Sequence, residues 1–119
     1  MFPRAKSVKH VKNFDIAVTF TNGEKHVVPL GDEIVNRAGE MVEPLKDISY
    51  FAKVFVNPEC GNLEWPNGYD VDPDILYWLA TGRAIRGSSD PKYQRPPQHL
   101  ARKRRVAAQR RRSTKSLAG

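Results

Sequence analysis

The chain has 119 residues, 39% hydrophobic and 28% charged, with a formal net charge of +7. That is room for one domain of ordinary size; no apolar run approaches the ~20 residues that span a bilayer, the N-terminus lacks the apolar stretch of a secretory signal, and a lone cysteine, Cys60, excludes an internal disulfide, so a cytoplasmic protein is expected. Residues 1–82 hold 8 Lys/Arg against 12 Asp/Glu, whereas residues 83–119 hold 12 Lys/Arg against Asp90 alone, so a body of charge −4 is joined to a tail of +11, and that asymmetry points to a polyanionic partner.

Residues 8–12 and 15–21 carry β-branched and aromatic residues in alternation, with Ile16, Val18 and Phe20 on one face. Asn22-Gly23 follows and predicts a two-residue hairpin turn, since both positions tolerate positive φ. Residues 24–30 then return as the partner strand, with Pro29 at its end or on an edge because it lacks an N–H. Asp32 is the expected cap of a short helix over Glu33–Ala38, stopped by Gly39. Asp47 opens one or two helical turns through Ile48, Tyr50 and Phe51. Residues 53–57 and 62–65 read as a second hairpin across the Pro58–Gly61 turn.

The best-marked helix starts at Asp72. Pro73 fits the first helical position, Asp74 faces the positive end of the dipole, Ile75, Leu76, Leu79 and Ala80 form an apolar stripe, and Gly82 ends it. Beyond it, residues 83–98 contain Gly87, Ser88, Ser89, Pro91, Pro96 and Pro97, which is a linker composition. Residues 99–112 have no Gly or Pro and can form a helix.

The combination Pro44-Leu45-Lys46-Asp47, Phe51-Ala52-Lys53-Val54 and Gly61-Asn62-Leu63-Glu64-Trp65-Pro66-Asn67-Gly68-Tyr69-Asp70-Val71-Asp72-Pro73-Asp74-Ile75-Leu76-Tyr77, with the upstream Phe20–Glu24 hairpin, resembles the domain-of-unknown-function family 2442 over about residues 8–80. The resemblance implies a mainly prokaryotic α+β module with no established catalytic activity. It also implies small protein partners in arrangements like toxin–antitoxin pairs. Some members of that family carry a helix-turn-helix domain after the module; here residues 83–119 stand in that place, and they are too short and too interrupted by Pro and Gly for a three-helix reader.

The tail carries most of the functional content. Arg102-Lys103-Arg104-Arg105 and Arg110-Arg111-Arg112 put seven cations into eleven residues. Free, such charges repel and favour disorder; on a polyanion they release condensed counterions. Wound as a helix, they lie all round the wheel and leave no apolar face, which suits a nucleic-acid groove better than a membrane plane. Arginine outnumbers lysine six to one there, which favours forked phosphate contacts and base stacking. The expected nucleic-acid-binding residues are Arg95, Arg102, Lys103, Arg104, Arg105, Arg110, Arg111, Arg112 and Lys115, with RNA or DNA as partner; Tyr93 and His99 add weak stacking. The competing reading is a tail that binds an acidic protein or folds back on the acidic body.

Trp65, Tyr69, Tyr77 and Trp78 are weighed between core and partner surface. Core is favoured for the group, more strongly for Trp65 than for Trp78. Tyr69, Tyr77 and Trp78 are the candidate protein-partner residues, because neighbours 77 and 78 cannot both share the stripe and one should reach the surface. Asp70, Asp72 and Asp74 read as structural, two of them explained by the helix start, and no calcium-loop glutamate follows. Cys60, His10, His26 and His99 lack zinc spacing, and no nucleophile–base constellation or phosphate-binding glycine loop is present. Neither a metal, a cofactor nor an enzymatic activity is expected.

The expected architecture is an α+β domain over residues 6–82, a flexible linker over 83–98 and an arginine-rich tail over 99–119. The domain is predicted as one antiparallel sheet of four to five strands, built from two hairpins, on one main helix with one or two short ones. Its predicted core is Val11, Ile16, Val18, Phe20, Val28, Leu45, Phe51, Val54, Val56, Leu63, Trp65, Ile75, Leu76 and Leu79. The function expected is a non-enzymatic adaptor that docks on a protein and holds nucleic acid, the alternative being an antitoxin-like protein that neutralises a small toxin.

Overall fold

The computed structural model describes residues 2–102. Strand β1 (Ala5–Lys12) pairs antiparallel with β2 (Asp15–Phe20), which pairs with β3 (Lys25–Pro29). The alternation read from the sequence sets the faces: Ile16, Val18, Phe20 and Val28 turn inward and are fully enclosed. The first hairpin corner, not foreseen, is Asn13-Phe14, where Asn13 takes a φ of 49°, a conformation asparagine tolerates better than other side-chain-bearing residues. At the second corner Asn22 does not adopt positive φ; Gly23 alone does, at 90°. The Gly23 N–H reaches the Phe20 carbonyl at 2.9 Å and the Phe20 N–H reaches the Glu24 carbonyl at 2.8 Å. The loop is therefore three residues closed by a left-handed glycine, not the expected two-residue turn.

Helix α1 spans Gly31–Val35, two residues earlier than expected. Asp32 makes no cap bond and Gly39, at φ 135°, does not end the helix. The burial of Leu30 and Ile34 places the segment, so core packing overrides the capping signal. A 3-10 turn over Glu43–Lys46 leads to α2 (Ile48–Phe51), whose cap is as read: Asp47 accepts from the Ser49 N–H at 3.0 Å.

Strands β4 (Phe55–Val56), β5 (Leu63–Glu64) and β6 (Asp70–Val71) form a second three-stranded antiparallel sheet. The expectation of a single sheet of four to five strands on one main helix is thus corrected to two small sheets with a few short helices. Strand β1 bulges between Ala5 and Ser7 and again between His10 and Lys12; a bulge bends and twists its strand, and one backbone bond, Ala5 N–H to the Gly61 carbonyl at 3.3 Å, crosses from β1 to the β4–β5 turn.

Helix α3 (Pro73–Thr81) matches its local signals closely. Asp72 accepts from the Asp74 N–H at 2.9 Å, and Gly82, at φ 77°, closes onto the Trp78 carbonyl. Most of the predicted core is enclosed, with Leu30, Ile34, Val42, Tyr77 and Trp78 in addition. Val11 is corrected: it is 49% exposed, because the second β1 bulge breaks the alternation at its position. Val54, Val56 and Ile75 are only half-buried and pack at the margin of the core.

Candidate nucleic-acid interface

The described part of the basic tail is rooted on α3. After Gly82 the chain reverses through Gly87 (φ 82°). The Ile85 N–H donates to the Tyr93 carbonyl at 2.9 Å, and the Gln94 side-chain amide donates to the Ile85 carbonyl at 2.7 Å. Asp90 accepts from the Lys92 N–H at 2.9 Å and opens a 3-10 turn over Pro91–Gln94, with proline in the position that needs no donor. That turn sets Tyr93 edge-on against Trp78, with centroids 5.0 Å apart and planes at 87°. The Trp78 Nε1–H donates to the Arg95 carbonyl at 2.7 Å. Pro97 is buried, and residues 98–102 are helical.

A cleft of about 520 Å³ lies between α1 and this returning segment, with Trp78, Leu79 and Pro97 among its walls. Its electrostatics pair the tail root with the acidic start of α1. Glu33 Oε1 takes Lys92 Nζ at 3.2 Å while Oε2 takes Arg37 at 3.0 Å. Arg102 reaches Asp32 at 2.8 Å, with both side chains more than half exposed. Exposed pairs of this kind contribute ~1 kcal/mol or less, so a phosphate can displace them.

Of the predicted nucleic-acid-binding residues, the structure places Arg95, exposed beside the cleft, and Arg102 on α1. Lys103, Arg104, Arg105, Arg110, Arg111, Arg112 and Lys115 lie outside the described residues. Sequence reasoning missed the roles of Glu33 and Lys92. The one available signal is the Asp32-Glu33 doublet, in which Asp32 reads as a cap and Glu33 as the first helical residue.

The candidate partner residues are distributed unequally. Tyr69 is half-buried with its ring on Trp65. Tyr77 and Trp78 are 1% and 2% exposed, so the expectation that one of them reaches the surface is corrected. Tyr77 packs on Phe20 and Phe2, and Trp78 is covered by the return of the chain. The Tyr77 hydroxyl donates to Glu24 Oε2 at 2.5 Å. That bond, then one from Asn22, holds the Glu24 carboxyl below its ordinary value, and the same bond to Glu24, then burial, raises the Tyr77 phenol above its own. Among the described residues the exposed large apolar ones are instead Val11, Val27, Val35, Met41, Ile48 and Phe55. Asp70 takes a bond from the Asn62 amide at 3.2 Å while Asp72 caps α3. Among the described residues no group of three or more His, Cys, Asp or Glu side chains is placed to hold a metal ion, and no helix is long and apolar enough to cross a membrane.

The sequence profile described as "Protein of unknown function (DUF2442)" matches residues 5–82. Among solved structures, the chain is similar to one described as a "Putative DNA Binding Protein" from Nitrosomonas europaea, with 24% identity and a TM-score of 0.59. The match covers 70% of this chain and 52% of that one, so the likeness spans about half the length of that protein and concerns its fold. Among curated proteins none matches.

Proposed function

Because this chain belongs to the DUF2442 family, whose description assigns no activity, we propose from its own residues that it is a non-enzymatic, nucleic-acid-associated accessory protein. The body docks on a protein partner and the arginine-rich tail holds the phosphate backbone of RNA or DNA. The observation that carries this reading is the partition of charge: residues 83–119 hold 12 Lys/Arg and one acid, next to a body with a surplus of acids. Arginine forks meet phosphate oxygens in pairs, and each contact releases counterions whose entropy drives binding.

The fold likeness to a protein described as a "Putative DNA Binding Protein" supports the same class of role. The root geometry supports the division of labour. Trp78 and Tyr93 tie the start of the tail to α3, so nucleic acid held by the tail is brought to a defined side of the body. Partner docking rests on the exposed apolar residues of the body, Val35, Met41, Ile48 and Phe55, and on the half-buried Tyr69.

The test is fluorescence anisotropy of the full chain with a mixed-sequence DNA duplex and with a single-stranded RNA, over a salt series. Six to ten phosphate contacts imply a loss of about 10³–10⁵ in affinity between roughly 50 and 200 mM salt. Replacing Arg104, Arg105, Arg110, Arg111 and Arg112 by Gln is expected to reduce the slope of log K against log salt by about four to five units on duplex. Unchanged slope and affinity in that variant refute the reading. A relative binding strength of the two probes distinguishes RNA from DNA as the preferred source of the phosphates.

A further inference from the structure

The body itself is electrically divided. Residues 1–31 hold Arg4, Lys6, Lys9, Lys12 and Lys25 against Asp15 and Glu24, whereas residues 32–82 hold three Lys/Arg against ten Asp/Glu. The strand register puts the first group to use. Ser7, Thr19 and Lys25 form one cross-strand row, and Lys9, Ala17 and Val27 form the next, all on the outer face of the β1–β3 sheet. Lys12 joins that face opposite Asp15, and Lys6 stands out at the first bulge. Lys6, Lys9, Lys12 and Lys25 are all exposed, and among the described residues none of them makes an ion pair. Glu24 is turned to the other side, bonded to Tyr77.

We propose that this outer sheet face is a second phosphate-contacting surface, so that the nucleic acid is held by the body as well as by the tail; the inference rests on nucleic acid being the partner. Three features lead to it. The charge is of one sign, apart from Asp15, where a merely solvated face carries both signs interspersed. Between Lys9 and Lys25 the middle strand offers only Ala17 and Thr19, with Asp15 at its far end beside Lys12, so a backbone can approach closely between those two lysines. The Ser7 and Thr19 hydroxyls, which make no side-chain hydrogen bond among the described residues, are donors that phosphate oxygens accept. Lys9 and Lys25 lie two strands and one row apart, about 12 Å between Cα atoms from the spacing of strands and residues. Their flexible ammonium chains bracket that central strip. Lysines on edge strands also discourage strand addition, but that task does not require a hydroxyl, Thr19, in the middle strand.

The experiment compares full chains in the same salt series: Lys9→Gln/Lys25→Gln, the control Lys46→Gln/Lys53→Gln with the same charge change elsewhere on the body, and Lys9→Arg/Lys25→Arg. Probes are the DNA duplex, the single-stranded RNA and polyglutamate, with melting midpoints measured to show that each variant is folded. The sheet variant is expected to lower the duplex salt slope by about two units and to weaken binding by on the order of 10–100-fold near 0.1 M salt. The control should leave the slope unchanged and the arginine pair should restore it. A sheet variant indistinguishable from the control overturns the proposal while leaving the tail reading intact. Loss of polyglutamate binding with nucleic-acid binding unchanged overturns it in favour of an acidic protein. Absence of salt-dependent nucleic-acid binding by the unsubstituted chain overturns both readings. Binding that survives neutralisation of the tail arginines but not of Lys9 and Lys25 sustains this surface and removes the tail from the account.

Discussion

Trp78→Phe isolates the contact that fixes the root of the tail. Trp78 is 2% exposed, and its Nε1–H bonds the Arg95 carbonyl at 2.7 Å. Phenylalanine keeps an aromatic ring for Tyr93 to meet but removes the donor, at about 1 kcal/mol net for a hydrogen bond of this kind. The lost outer part of the indole is roughly 40 Å² of apolar area, or about 1 kcal/mol at ~25 cal/mol per Å². Together these make about 2 kcal/mol, which for a domain of this size lowers the melting midpoint by roughly 8–16 °C. The loss should be local in hydrogen exchange. The Ile85 amide, bonded to the Tyr93 carbonyl, should lose protection, whereas Val18 in the middle of the first sheet should keep most of its own. An unchanged Ile85 exchange rate, with a midpoint within about 2 °C of the parent, would refute the docking of residues 83–97 on α3.

Gly61→Ala is expected to be severe, since Gly61 sits at φ 74° and a Cβ there would lie 2.5 Å from the Arg4 Cβ; urea unfolding should show a loss well above the ~1–2 kcal/mol of left-handed strain alone. Gly23→Ala, at φ 90° with nothing within 4 Å, should show only that strain, so equal losses at the two sites would contradict the geometry. The Glu24 carboxyl is held below its ordinary 4.5 by the Tyr77 hydroxyl and then by Asn22, so its contribution to stability is present above that value and is lost as pH falls through the lowered folded pKa. Melting midpoints recorded on acidification should therefore fall less steeply for Glu24→Gln than for the parent, and parallel curves would show that the bond is not formed. The Tyr77 phenol is raised above 10.0, first by its bond to Glu24, so its share is complete below that pH and disappears as pH rises through the raised value. Asp32→Asn with Glu33→Gln frees Arg102 and Lys92 from α1; nucleic-acid affinity should rise several-fold with a salt slope steeper by about one to two units, and an unchanged slope would mean these cations never reach phosphate.

Local chemistry was legible in this chain where a residue's partner lies within a few positions. Asp72, Pro73 and Gly82 bound α3 as read, and Asp47 caps α2 on Ser49, because a cap bond depends on almost nothing beyond its own turn. The alternation of Ile16, Val18 and Phe20 likewise set which face of β2 is enclosed. The partition of charge between body and tail needed no structure at all.

What the linear chain could not supply was the side of each element covered by something distant. Tyr77 is buried because Glu24, 53 residues earlier, takes its hydroxyl, and Trp78 is buried because Arg95 and Tyr93 return to cover it. The second β1 bulge exposed Val11, the strands pair as two sheets where one was expected, and burial of Leu30 and Ile34 moved α1 off its nominal cap. Hydrophobic burial and long-range hydrogen bonds are summed over the whole chain, so they are settled only when all the elements meet. By itself the sequence determined the helix ends, the strand faces and the sign of each region's charge; tertiary structure decided which lysines share a face, which acids hold the tail root and which aromatics are left for a partner.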